Sequence, residues 1–156
     1  MKERFLSASA VMLFITRQTL GGEEILLQLR CGTGYRDGYY DLCAAGHVED
    51  GESLTEAMRR EAREELGIGI DEGELRFVCL IHKRSGGESY FNAYFKAEEY
   101  AGEPKICEPE KCGELRWFKI DELPEMLVED RRLAIKYYQS GVSFGEYGFN
   151  ERKTNE

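Results

Sequence analysis

Three glutamates, Glu61, Glu64 and Glu65, stand at i, i+3 and i+4 in a segment whose apolar residues recur with helical period. On a wheel of roughly 100° per residue they share one arc, on or beside the side that carries Leu54, Ala57, Met58, Ala62 and Leu66. Arg59, Arg63 and Glu56 fall opposite, toward water. Like charges at these spacings repel. Partial burial strips hydration from each carboxylate, and the C-terminal half of a helix disfavours negative charge through its dipole. For stability alone the placement is adverse. Hard divalent cations reverse its sign, because Mg2+ seeks oxygen ligands. Arg60, one turn before Glu64, is spaced to pair with it and orient it. Taken without the wheel, the same charges also read as a solvated face laced with ion pairs.

The helix that carries these residues is the clearest element of the chain. Ser53 and Glu56 form the capping pattern S-x-x-E, and Gly67 follows Leu66 where a C-cap glycine belongs, so a helix is predicted over 53–66. Before it, residues 9–17 and 24–30 read as strands of a hairpin turning at Gly21-Gly22. Residues 31–38 form a glycine-bearing loop, and residues 39–43 a further strand. After it, residues 75–84 and 90–98 are strand-like and joined through Gly86-Gly87, and residues 114–120 form a short strand with Trp117. Residues 121–139 read as mostly helical, with Pro124 confined to the first turn. The tail from Gly141 is expected on the surface, part of it packed down through Phe144, Tyr147 and Phe149. Strands flanking one strong helix, then a late strand and helix, imply a mixed sheet with helices packed on it.

The 156 residues suffice for one domain with a real core and are too few for two. A formal net charge of −9 repels nucleic acid and anionic membranes, so neither is an expected partner. An anionic ligand would need local neutralisation, which again points to a divalent cation. The five cysteines, Cys31, Cys43, Cys79, Cys107 and Cys112, contain no C-x-x-C, and no histidine or second pair completes a zinc site with Cys107 and Cys112. They read as reduced thiols of a cytoplasmic protein. Lys2 and Arg4 precede the apolar run 8–15, but no small-residue cleavage site follows, and the run suits a buried strand. No stretch approaches the roughly 18 apolar residues of a membrane span.

Gly46, five residues, Glu52, seven residues, then Arg60-Glu61-Ala62-Arg63-Glu64-Glu65-Leu66-Gly67-Ile68 resembles a complete Nudix box, G-x5-E-x7-R-E-U-x-E-E-x-G-U. The chain is similar to MutT-related hydrolases outside the box too, in its opening hairpin and in Leu115-Arg116-Trp117-Phe118 followed by Asp121-Glu122-Leu123-Pro124. The resemblance implies an α/β/α sandwich, with a mixed β-sheet packed between helices, that hydrolyses a nucleoside diphosphate linked to another group. By position it implies Mg2+, with Mn2+ as a substitute, held by Glu61, Glu64, Glu65 and the carbonyl of Ala45. Glu52 and Arg60 would brace the loop–helix–loop. The general base would be a box glutamate or a loop acid, with Glu110 the first choice and Glu108 the second. Arg30 and His47 are candidates for phosphate contact, and Tyr39, Tyr40, Phe91 and Tyr94 for a wall that stacks a base.

One departure stands out. Ala44-Ala45-Gly46 replaces the Pro-Gly-Gly of many relatives, and with Asp41 and His47 it is also similar to isopentenyl-diphosphate isomerase-like members. By elimination among sub-family signals, the expected substrate is a free nucleoside triphosphate, giving the monophosphate and pyrophosphate. Hydrolysis of ADP-ribose or a nucleotide sugar, and a catalytically silent nucleotide-binding module, are the alternatives. A homodimer is left open.

Overall fold

A computed structural model describes residues 2–150. The elements run β1 (Ala8–Thr19), β2 (Gly22–Arg30), β3 (Tyr40–Leu42), β4 (Ala44–His47), α1 (Leu54–Leu66), β5 (Arg76–Ser85), β6 (Glu88–Ala97), β7 (Cys112–Lys119), α2 (Glu129–Ser140) and β8 (Phe144–Tyr147). The strands form one mixed sheet in the order β3-β2-β1-β6-β5-β8, with β4 joined to β1 and β7 to β2.

β1 organises the sheet, and its sequence shows why. Residues 10–16 of β1 are all buried, which requires cover on both faces. Val11, Leu13 and Ile15 point to the face on which α1 lays Ala57, Met58, Ala62 and Leu66. Ala10, Met12 and Phe14 point the other way, to the face on which α2 lays Ala134 and Ile135. The chain is therefore the α/β/α sandwich that the resemblance implied. Along one edge, β1 pairs with β4 over residues 10–13 and then with β2 over residues 16–19. Along the other it runs parallel to β6, from Ala8 opposite Tyr90 to Ile15 opposite Ala97.

Three expectations change. The second helix begins only at Glu129, because Tyr40 captures the preceding segment: its N–H donates to the Met126 carbonyl, and the Val128 N–H donates back to Tyr40. Ala44–His47, which lies outside every element expected from the sequence, is a strand because β1 offers it a free ladder. The tail supplies a further strand, β8, parallel to β5, with Phe144 exposed and Phe149 against His82. Among the described residues no helix is long and apolar enough to cross a membrane.

Candidate active site

α1 is fixed at both ends before any tertiary contact is counted. The Glu56 N–H donates to Ser53 Oγ at 3.2 Å, and the Ser53 N–H donates to Glu56 Oε2 at 2.8 Å. Gly67 closes the helix at φ 68°, a conformation other residues adopt only with strain. Leu54 departs from the wheel: at 40% exposure it lies outside the core that Ala57, Met58, Ala62 and Leu66 fill. The carboxylates divide. Glu61 is buried and Glu65 half-buried, whereas the Glu64 side chain is 59% exposed.

Arg60 gathers the loop and the helix around itself. Its Nε lies 2.7 Å from Glu52 Oε1, and its Nη2 donates to Glu52 Oε2 and to the His47 carbonyl. Its Nη1 holds Glu61 Oε1 at 2.7 Å and Glu64 Oε2 at 3.3 Å. Hydrogen bonds from Arg60 hold the Glu52 carboxyl below the usual range, and the Arg60 guanidinium is pushed up in turn. A β-carbon at Gly46 would collide with the Glu61 carboxylate. Only glycine admits that close approach between β4 and α1.

Glu65 has no such partner. Its Oε2 accepts the Ala45 N–H at 2.8 Å, and among the described residues no cation pairs with it. Burial raises its carboxyl to about 8, and the charges of Glu61 and Glu108 add to the rise. Burial likewise raises Glu61, with Glu64 and Glu108 contributing, although Arg60 opposes it. Glu108 arrives because the Lys105 and Cys107 N–H groups donate to the Leu66 and Glu65 carbonyls, seating residues 105–108 on the end of α1. Glu108 then lines a cleft of about 230 Å3 with Ala45, Glu65, Lys111 and Arg30. Glu110, the first choice for the loop acid, is exposed and absent from that lining, with its backbone carbonyl against Gly32.

The fit to a divalent cation rests on donor chemistry. Glu61, Glu65 and Glu108 place surplus negative charge beside the Ala45–Gly46 backbone, and every candidate ligand is a hard oxygen. Among the described residues, no three acidic, histidine or cysteine side chains already converge as a metal cage, since Arg60 holds Glu61 and Glu64. The donor set fits. Glu64, exposed and paired with Arg60, would have to turn inward to join such a set.

A second cleft, of about 520 Å3, opens on the α2 face of the sheet and shares Arg30 with the first. Arg30 is anchored to Asp41 at 2.7 Å, to the Tyr35 carbonyl and to Thr33 Oγ1. His47 lies near-parallel to Tyr90, with ring centroids 6.3 Å apart. Beneath them runs a buried ionic chain that the sequence reading missed. Arg131 holds Asp41 at 2.8 Å and Asp130 at 2.6 Å, and Lys83 reaches Asp130 at 3.3 Å. Adjacent opposite charges at Asp130-Arg131 and a lysine within a strand were the available signals. The proposed aromatic wall does not assemble. Tyr94 is in the core, Tyr40 stands edge-on to Phe118, Phe91 stacks on His82 and Tyr39 meets Arg36. Tyr35 and Tyr90 line the second cleft instead.

A family model described as NUDIX domain matches residues 6–138. The chain is 33% identical over 123 residues to an NAD-capped RNA hydrolase NudC of Stutzerimonas stutzeri, covering 78% of this chain and 39% of that protein. It is 32% identical to a NudC of Deinococcus radiodurans, over 76% of this chain and 40% of the relative. It thus spans about two-fifths of the length of these curated relatives. Among solved structures, a MutT NUDIX hydrolase from Burkholderia pseudomallei superposes with a TM-score of 0.75 at 27% identity, over 85% of this chain and 98% of that one. A NUDIX hydrolase from Nitrosomonas europaea shares the fold at 22% identity, with a TM-score of 0.72 over 89% and 93% of the two chains.

Proposed function

The chain belongs to the Nudix family, and on that premise we propose that it is a Mg2+-dependent pyrophosphohydrolase of nucleoside diphosphate derivatives. Its favoured substrate is a nucleoside triphosphate. In this reading water attacks phosphorus, the phosphoanhydride P–O bond breaks, and the monophosphate and pyrophosphate leave. We treat residues 1–156 as one catalytic domain, and the five free thiols suit a reducing, cytoplasmic setting.

One observation carries the reading: a half-buried carboxylate without a cation, Glu65, faces the same cleft as Glu108, beside the Arg60-braced loop. Glu61, Glu64, Glu65 and the Ala45 carbonyl would hold the cation. Divalent-cation chemistry there consists of neutralising phosphate oxygens and making water more acidic. Glu108, rather than Glu110, would take the proton from the attacking water, a reading supported by its place in the cleft lining. Lys111, 2.9 Å from Glu108, orients that carboxylate, and Arg30 and His47 flank the path of the phosphates.

The test is a panel of nucleoside triphosphates, oxidised nucleotides, ADP-ribose, nucleotide sugars, NAD and NAD-capped RNA, assayed with Mg2+ and with Mn2+. The expected product is pyrophosphate from a triphosphate, with kcat lowered on the order of 100-fold or more in Glu65→Gln and Glu64→Gln. Wild-type turnover in both variants would overturn the assignment. The relatives named as NAD-capped RNA hydrolases supply the second reading, which preferred cleavage of NAD or NAD-capped RNA would establish. Tight nucleotide binding without product would leave a binding module.

A further inference from the structure

The floor of the second cleft contains a polar group that the protein itself leaves unused. Asn92 is only 3% exposed, yet among the described residues no hydrogen bond engages its side-chain amide. It sits on β6 between Ala10 of β1 and Ile81 of β5, and it lines the cleft. Lys83 is its diagonal neighbour, being paired with Tyr90 two residues earlier on β6. The short side chain of Ala10 leaves the space above Asn92 open.

Thr16 Oγ1 is the one fully sealed side-chain polar atom without a partner among the described residues, so the Asn92 amide opens on the cleft and is free to meet a ligand there. It offers one donor and one acceptor side by side, which matches a flat heteroaromatic edge. Flat neighbours are present, since His47 and Tyr90 form a near-parallel platform at the cleft wall. The remaining chemistry is rich in donors. Lys83 brings three N–H bonds and directs its one ion pair to Asp130, while Arg131 and Arg30 also line the space. Three cations, Arg30, Lys83 and Arg131, face two carboxylates, Asp41 and Asp130, in the ionic chain. The one carboxylate in the lining, Glu88, already accepts the Tyr90 hydroxyl, and the other groups able to accept are neutral: Asn92, Ser85, Tyr35 and His47.

We propose that Asn92 and Lys83 read the edge of the nucleotide's base and select a base whose carbonyl adjoins a ring N–H, as O6 and N1–H do in guanine and O4 and N3–H in uracil, over one whose amino group adjoins a bare ring nitrogen, as in adenine and cytosine. Asn92 meets the adjacent C=O and N–H of such a base, and Lys83 donates to the carbonyl oxygen. An amine at that position would turn its own hydrogens toward the Lys83 ammonium, which donates and cannot accept. The assignment rests on the nucleotide reading of the first cleft but not on hydrolysis.

Binding of GMP, AMP, UMP and CMP to the full chain, followed by calorimetry in EDTA, tests it without metal or turnover. GMP should bind about tenfold more tightly than AMP, and UMP than CMP. Lys83→Met should erase both preferences, and Asn92→Leu, which removes the donor and the acceptor together, should weaken GMP and UMP most and shrink both preferences. Equal affinities in the wild type, binding of none of the four, or preferences unchanged in both variants would overturn the proposal. So would displacement of GMP by pyrophosphate together with indifference to the base, which marks a plain anion site. The wild-type comparison decides alone if the variants do not fold. A chain that discriminates bases but hydrolyses nothing would sink the proposed activity and leave this inference standing.

Discussion

At the scale of the residue, the most informative atom group is the Glu65 carboxyl. Burial raises its proton affinity in the folded chain to a value near 8. The folded state therefore holds a proton that the unfolded state releases. The stability this group contributes is present at low pH and is lost as pH rises from the ordinary carboxylate range through about 8. Metal-free Glu65→Gln should match the wild type in thermal midpoint near pH 5 and exceed it near pH 9. Added Mg2+ should raise the midpoint of the wild type at the higher pH and not that of the variant. Parallel melting curves across that range would contradict the assignment. Glu61, Glu64, Glu65 and Arg60 were legible in the sequence because several constraints coincide on one helix. Asn92, Lys83 and Arg131 were not, because single polar residues in strands or at a helix start form no pattern until the sheet brings them together. That Glu108 and not Glu110 lines the first cleft was equally illegible, because it depends on which carbonyls of α1 the loop amides find.

At the scale of the element, local signals succeeded where they were self-sufficient. α1 carries its own caps and was placed almost to the residue. α2 carries none: Val128 makes no side-chain cap, and the helix starts where Tyr40 releases the backbone. β4 and β8 are short, and only the neighbours that accept their hydrogen bonds make them strands. Asp41 shows how such pieces are tied together. From β3 it holds Arg131 at the start of α2 and Arg30 at the end of β2. Burial pushes its carboxyl up, but Arg131 and then Arg30 outweigh burial and hold it below the usual range. Its contribution to stability is thus full above the ordinary carboxylate range and lost as pH falls through the folded value. Asp41→Asn would leave buried Arg131 short of its main partner and should cost about 3–5 kcal/mol in urea unfolding at neutral pH. A loss below about 1 kcal/mol would mean that the ion pair is a bystander.

At the scale of the whole molecule, charge and topology act beyond any one site. The formal net charge of −9 opposes the approach of an anionic nucleotide, whereas the second cleft presents Arg30, Lys83 and Arg131 at its lining. Salt screens the distant field first, since the Debye length falls from about 30 Å at 0.01 M to about 8 Å at 0.15 M. Raising KCl across that range should therefore increase kcat/KM for a triphosphate. A steady fall would show that the local cations dominate. Topology was the least legible level, because a parallel register between distant segments leaves no mark in either of them. The pairing of β1 with β6 has a consequence during synthesis on the ribosome. Ala8 meets Tyr90 and Ile15 meets Ala97, so this apolar strand leaves the ribosome well ahead of β6 and waits for it before its sheet can close. Over that interval it is an adhesive segment in need of shelter, and the nascent chain becomes a natural client for a chaperone.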